Sequence, residues 1–91
     1  MAIRFAHSAY RHGISEDRAL YVIANCPSPS YPDDPLPAGD RVMFLWADRD
    51  GVPLEVGAIE LDSGDLLIVH AMRMRTVYQP EYARLLKWNR R

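Results

Sequence analysis

The chain has 91 residues, which favours one domain over residues 1–91, and its 48% hydrophobic and 25% charged residues are typical of a globular protein. It lacks the run of about 18 apolar residues that a transmembrane helix needs. Residues 1–5 also lack the apolar core of a signal peptide. The single cysteine, Cys26, excludes an internal disulfide and a cysteine zinc cluster. We therefore expect a reduced, cytoplasmic protein with no membrane contact and no disulfide partner.

The charge is distributed unevenly, although the formal net charge is only −1. Residues 1–72 carry five Arg and eleven Asp or Glu, a net charge of −6. Residues 73–91 carry six basic residues against Glu81, a net charge of +5. A basic pole of this kind suits a polyanion such as RNA or an acidic protein surface, and it also arises from a solvated helix with a basic end. Composition alone leaves these three interpretations open.

Two helices are predicted near the N-terminus. Residues 7–12 fit a short helix that Gly13 ends, because glycine is favoured at a left-handed helix cap. Ser15 is a good N-cap for a second helix, whose first turn is acidic and whose last residue must precede Pro27. Apolar residues recur on one face of this second helix and should face the core: Ala19, Leu20, Ile23 and Cys26.

Residues 27–40 contain five of the seven prolines of the chain. Such a segment sustains neither a helix nor a central strand, because proline lacks the backbone donor that both structures need. We predict one exposed proline-rich loop, and we expect Tyr31 to attach it to the body of the domain.

Three strands are predicted after this loop, over residues 41–47, 54–62 and 66–75. Gly51 supplies the positive φ of a hairpin turn between the first two strands, and residues 63–65 form the next turn. Strands joined by such short turns pair antiparallel and give a meander. Residues 3–5 form either a fourth strand or the lead-in to the first helix.

A last helix is predicted over residues 81–89, since Pro80 suits the first turn of a helix. The predicted fold class is therefore α+β, with N-terminal helices, a three- to four-stranded antiparallel sheet and a C-terminal helix. We expect the helices to cover one face of the sheet and to leave the other face partly open.

The third strand begins with the four consecutive apolar residues 66–69 and ends with His70, Arg73 and Arg75. Two arginines at i and i+2 project in parallel, and each can hold a phosphate with its fork of donors. Alternatively, the arginines form ion pairs with acidic residues on the neighbouring strand, namely Glu55, Glu60 or Asp62.

Strict alternation separates His70 from the two arginines. His70 then shares a face with Ile68 and Met72, and Arg73 and Arg75 lie on the other face. A bulge, or the end of the strand near Met72, would bring the three residues together. Without such an irregularity, His70 is a core histidine.

His12 is the other candidate for acid–base chemistry, because histidine exchanges protons near neutral pH. Alternatively, it is a surface residue favoured by the end of the first helix. The sequence has no glycine-rich phosphate loop, catalytic serine motif or metal-ligand spacing, so we expect no metal or cofactor. RNA cleavage fits a set of Arg and His residues, because the 2′-hydroxyl of the substrate is itself the nucleophile.

Three segments of the chain resemble motifs of small toxins. Residues 11–15, RHGIS, resemble the K-H-G-[IVL]-S opening of BrnT-like toxins. Residues 48–56 resemble the D-R-x-G-x-x-L-E-V hairpin of a related group, and residues 69–75 resemble its I-H-A-M-x-x-R segment. The resemblance covers most of residues 7–78. It implies a RelE-like fold and a toxin of a type II toxin–antitoxin pair, which acts as a ribonuclease on or off the ribosome and is inhibited by its cognate antitoxin.

The resemblance also assigns roles to residues. The K-H pair falls on Arg11 and His12, and the motif arginine falls on Arg75, or on Arg73 in the BrnT-like alignment. We expect the arginines to hold the scissile phosphate of RNA and His12 and His70 to transfer protons. Further basic residues should hold the RNA backbone: Arg11, Arg84, Lys87 and Arg90. The competing hypothesis is a non-catalytic module of the same fold that binds a protein or nucleic acid through its basic C-terminal pole.

Overall fold

A computed structural model describes residues 2–31 and 40–89, and within these residues a four-stranded sheet lies between two α-helices. Two short 3-10 turns, His7–Tyr10 and Thr76–Tyr78, precede the helices. The helices and strands, in chain order, are β1 (Ile3–Phe5), α1 (Glu16–Asn25), β2 (Asp40–Ala47), β3 (Pro53–Glu60), β4 (Leu66–Arg73) and α2 (Gln79–Asn89). The α+β class and the C-terminal helix are thus confirmed.

The strand order is β1-β4-β3-β2. The β2–β3–β4 meander is antiparallel, as predicted. However, β1 pairs with β4 in parallel, with Ile3 opposite Leu66, so the sheet is mixed rather than wholly antiparallel. No hairpin links β1 to β4, and a long connection through α1, β2 and β3 permits the parallel direction.

The N-terminal segment forms one α-helix and one shorter turn. The Oγ atom of Ser15 accepts a hydrogen bond from the backbone N–H of Arg18 at 3.3 Å, which confirms the predicted N-cap. The helix predicted over residues 7–12 is the four-residue 3-10 turn His7–Tyr10.

The sheet face under α1, which we call the α1 face, is a continuous apolar core. Its buried residues come from α1, from the preceding segment and from three strands: Ala9, Ile14, Ala19, Val22, Val42, Phe44, Leu54, Val56, Ala58, Leu66, Ile68 and Ala71. In β2 and β3 these residues alternate with the residues of the opposite face, as the pleat requires.

The opposite face, which we call the α2 face, is covered in part by the C-terminal helix. Met43 and Leu45 of β2 are fully buried there against Leu85 of α2. The expectation that helices cover only one face is therefore wrong. The reason lies in β2, where both alternating sets of side chains are apolar and each set requires a cover.

The predicted hairpin turn connects β2 to β3, and Gly51 has the expected positive φ of 83°. Asp48 closes this turn from within, because its buried carboxylate accepts hydrogen bonds from the backbone N–H groups of Asp50 and Val52, each at 2.9 Å. Arg18 of α1 donates to the same carboxylate through Nε at 2.9 Å. The hairpin is thereby attached to α1.

Most of the proline-rich loop, residues 32–39, lies outside the described residues. The start of the loop is tied to β2, because Ser30 and Met43 exchange two backbone hydrogen bonds of 2.8 and 2.7 Å. Tyr31, which follows, is 62% exposed. Within the described ranges, neither helix is long and apolar enough to cross a bilayer.

Candidate active site

A β-bulge in β4 determines the face on which His70 lies. Gly57 pairs with His70 and Ala58 pairs with Ile68, so Val69 is an extra residue in the ladder. The extra residue interrupts the alternation and moves His70 to the α2 face. The close approach to Gly57 agrees, because a Cβ atom on Gly57 would lie 3.3 Å from Cβ of His70 and 3.7 Å from Sδ of Met43.

Glu55 is a fully buried carboxylate on the α2 face, where it pairs across the strands with Leu45 and Met72. Its Oε1 atom accepts a 2.6 Å hydrogen bond from Nε of Arg75. The same oxygen lies 3.4 Å from Nε2 of His70. Its other oxygen, Oε2, is buried without a hydrogen-bond partner. Glu55 therefore connects a histidine and an arginine that lie five residues apart in the sequence.

Arg75 is a half-exposed cation at the end of this connection. Its side chain is 51% exposed, and its Nε bond to Glu55 leaves the two terminal nitrogens outside that ion pair. The hydrogen bond that Arg75 donates to Glu55, together with the charge of that carboxylate, raises the pKa of Arg75 above its ordinary value. Its Cζ atom lies 5.6 Å from the centre of the Tyr78 ring. These contacts fix a permanent positive charge at the rim of the α2 face.

His12 completes the cluster from the N-terminal side. Its exposed ring lies edge-on to His70, with 5.8 Å between the ring centroids. The preceding 3-10 turn is attached to the bulge itself, because the hydroxyl of Ser8 donates to the backbone oxygen of Val69 at 2.7 Å. The structure thus gathers four side chains, which we call the His–Glu–Arg cluster: His12, Glu55, His70 and Arg75.

Arg73 is the predicted catalytic residue that the structure does not bring to the cluster. It pairs with Leu54 of the α1 face, its side chain is exposed, and it makes no ion pair within residues 2–31 and 40–89. Arg75 instead makes one of the ion pairs that the sequence left open, with Glu55.

The residues expected to hold RNA are spread over the N-terminal turn and α2. Arg11 is exposed beside His12, and Lys87 is exposed on α2. Arg84 forms an ion pair with Glu81 on the same helix. Arg90 and the adjacent Arg91 lie outside the described residues.

Glu55 is the residue of the cluster that the sequence did not single out, since it entered only as one of three ion-pair partners for the arginines. A carboxylate between Leu54 and Val56, followed by Gly57, was the available signal. A charged residue within an otherwise apolar strand becomes buried when both faces of the sheet are covered.

The cluster combines two adjacent imidazoles, a buried carboxylate and an accessible guanidinium, a set suited to proton transfer beside an anion. Among the described residues, no three His, Cys, Asp or Glu side chains gather closely enough to hold a metal ion. No protein-family model matches this chain, and neither the curated proteins nor the solved structures compared with it contain a match.

Proposed function

We propose that this chain is a metal-independent endoribonuclease of RelE-like fold and the toxin of a toxin–antitoxin pair. The observation that supports the chemistry is the juxtaposition of His12 and His70, 5.8 Å apart between ring centroids, beside the Glu55–Arg75 ion pair. The toxin role extends the resemblance of residues 11–15, 48–56 and 69–75 to toxin motifs.

The proposed reaction is an internal transesterification of RNA. One imidazole removes the proton of the 2′-hydroxyl, and the 2′-oxygen forms a bond to the adjacent phosphorus. The bond from phosphorus to the 5′-oxygen breaks, and the second imidazole, in its protonated form, donates a proton to that oxygen. The products are a 2′,3′-cyclic phosphate and a 5′-hydroxyl, so atoms and charge balance.

The remaining cluster residues support this reaction. Glu55 orients His70 from its buried position, and it orients Arg75 through Nε so that the terminal nitrogens can meet the phosphate. Donors held in place before the reaction stabilise the charge that develops on phosphorus-bound oxygens. The exposed Arg11 and Lys87 contact the RNA backbone on either side.

The test uses a short DNA–RNA chimera with a single ribonucleotide and a matched 2′-O-methyl strand. We expect cleavage of the first strand in the presence of EDTA, with a 2′,3′-cyclic phosphate product, and no cleavage of the methylated strand. His12→Ala and His70→Ala should each lower the rate about 10²- to 10⁴-fold. Arg75→Gln should also be impaired, whereas Arg49→Gln removes the same charge beside Tyr21, away from the cluster, and should cleave like the native chain.

Two results would contradict the proposal. Cleavage that survives both histidine substitutions would assign the activity elsewhere. RNA that is bound but left intact would favour the non-catalytic module. In a host cell, we expect growth arrest on expression, relief by Arg75→Gln, and relief by co-expression of an adjacent antitoxin gene.

A further inference from the structure

A groove opens on the α2 face between β2, α2 and the start of the proline-rich loop. It has a volume of about 400 Å³, and its walls include Ser30, Tyr31, Met43, Tyr78, Glu81 and Arg84. Tyr78 belongs both to this groove and to the surroundings of Arg75, whose Cζ lies 5.6 Å from its ring. Tyr78 therefore stands between the groove and the proposed phosphate-binding end of the His–Glu–Arg cluster.

The lining of the groove suits a planar ring. Tyr31 and Tyr78 supply aromatic surface, and the fully buried Met43 and Leu45 lie beneath it. Nucleobases released from a helix stack on aromatic side chains whatever their identity. Stacking would therefore hold any base in this groove, and selectivity would have to come from polar groups.

Glu81 and Arg84 provide such polar groups side by side. Nε of Arg84 donates to both carboxylate oxygens of Glu81, at 3.1 and 3.2 Å, and the hydroxyl of Ser30 lies 3.4 Å from Oε1. The bond from Arg84 holds the pKa of Glu81 below its ordinary value, so the carboxylate remains an acceptor at neutral pH. The side chains of Arg84 and Glu81 are 59% and 34% exposed, respectively, so each can meet a ligand.

We propose that this groove binds a base of the RNA substrate that carries a ring N–H beside a carbonyl, and that it prefers guanine to uracil; the inference rests on the ribonuclease function proposed above. In guanine, O6 accepts from Arg84 while N1–H donates to Glu81. The N2 amino group donates to the second carboxylate oxygen. Uracil offers an equivalent acceptor and donor, O4 and N3–H. However, its O2 atom is an acceptor and would face the second carboxylate oxygen, which is also an acceptor, without a hydrogen bond. Adenine and cytosine have no ring N–H to donate.

The groove adjoins the phosphate-binding end of the cluster, so the bound base flanks the bond that is cleaved. Cleavage is therefore expected next to guanine in single-stranded RNA. Paired guanine is excluded, because its Watson–Crick edge is occupied.

The experiment measures binding of the four nucleoside 3′-monophosphates to the full chain by calorimetry. We expect guanosine 3′-monophosphate to bind at least about tenfold more tightly than the adenosine and cytidine compounds, with uridine between them. Glu81→Gln should remove most of this preference. Tyr31→Leu should weaken the binding of all four nucleotides to a similar extent, because stacking does not distinguish bases. Asp62→Asn, which removes a carboxylate in the exposed β3–β4 turn, is the matched control and should bind like the native chain.

Equal affinity for all four nucleotides would overturn the inference, and so would an unchanged guanosine preference in a folded Glu81→Gln variant. The outcome is separable from that of the ribonuclease proposal. Cleavage of RNA without base preference would overturn the guanine groove alone. Selective guanosine binding without any cleavage would support the groove and overturn the ribonuclease.

Discussion

The buried strand residues of the α1 face are all apolar, whereas the α2 face combines three fully buried apolar residues with the fully buried carboxylate of Glu55. A buried carboxylate is costly unless its partners compensate for lost hydration, and one oxygen of Glu55 has no partner. The α1 face therefore carries most of the apolar burial that stabilises the domain. The α2 face instead holds polar groups in fixed positions, as the proposed ribonuclease chemistry requires.

Phe44→Ala should show the largest difference between the two faces, with a loss of stability and little change in activity. Phe44 is buried on the α1 face, and its truncation should lower the free energy of unfolding by about 3–5 kcal/mol in urea denaturation. Under conditions in which the variant remains folded, RNA cleavage should proceed near the native rate. Loss of cleavage without loss of stability would show that the faces are not separable.

Glu55→Gln should have the opposite effect, with little change in stability and a large loss of cleavage activity. The free energy of unfolding should change by less than about 1 kcal/mol, since the neutral amide is cheaper to bury and the half-exposed Arg75 can turn to water. Cleavage should fall about 100-fold, because misplaced catalytic groups lose their alignment. Paired measurements of denaturation and initial rate test this expectation. A strongly destabilised variant with intact activity would make Glu55 a purely structural residue.

Gly57→Ala should disturb His70 while leaving the α1 face unchanged. The added Cβ would lie 3.3 Å from Cβ of His70, so His70 must shift by a few tenths of an ångström, whereas its 3.5 Å distance from Cε of Met43 is an ordinary contact. We expect a stability loss of about 1–3 kcal/mol from overpacking and a lower cleavage rate. NMR should show shifts in the His70 ring signals and unchanged signals from Val22 on α1. A native spectrum and a native rate would refute the close-contact argument.

A fall in pH should weaken the hydrogen bonds that Val52 and Arg18 donate to Asp48, on the α1 side of the sheet. Hydrogen bonds from the backbone N–H of Val52 and from Arg18 hold the pKa of Asp48 below its ordinary value. On acidification the unfolded chain takes up the proton first, so this stabilisation is present at neutral pH and is lost as the pH falls below the ordinary carboxyl range. The Tm should fall with the pH, and Asp48→Asn should have a lower Tm at pH 7 with a shallower acid dependence. Parallel Tm curves for the native and variant chains would contradict this assignment.

Local signals in the sequence identified the elements that depend on neighbouring residues. Ser15 marked the start of α1, Gly51 marked the hairpin, and the short turns implied the antiparallel meander. The parallel pairing of β1 and the position of α2 depend on contacts between distant residues, which periodicity does not encode.

The candidate site was harder to predict than the fold. His12, His70 and Arg75 were named from residue type and motif, but their proximity depends on a bulge whose place the sequence did not reveal. Alternation alone would have kept His70 away from Glu55. The burial of Glu55 also depends on α2, because only a cover on that face removes the carboxylate from water.

The extra residue in β4 has a consequence for tolerance to deletion. Removing Val69 would join Ile68 directly to His70 in a regular strand and leave the imidazole opposite Gly57. The deletion would instead affect the position of His12. It would remove the backbone carbonyl that accepts the hydrogen bond from Ser8 and thereby anchors the N-terminal turn. The extra residue Val69 thus connects two parts of the chain that are distant in sequence, β4 and the N-terminal turn.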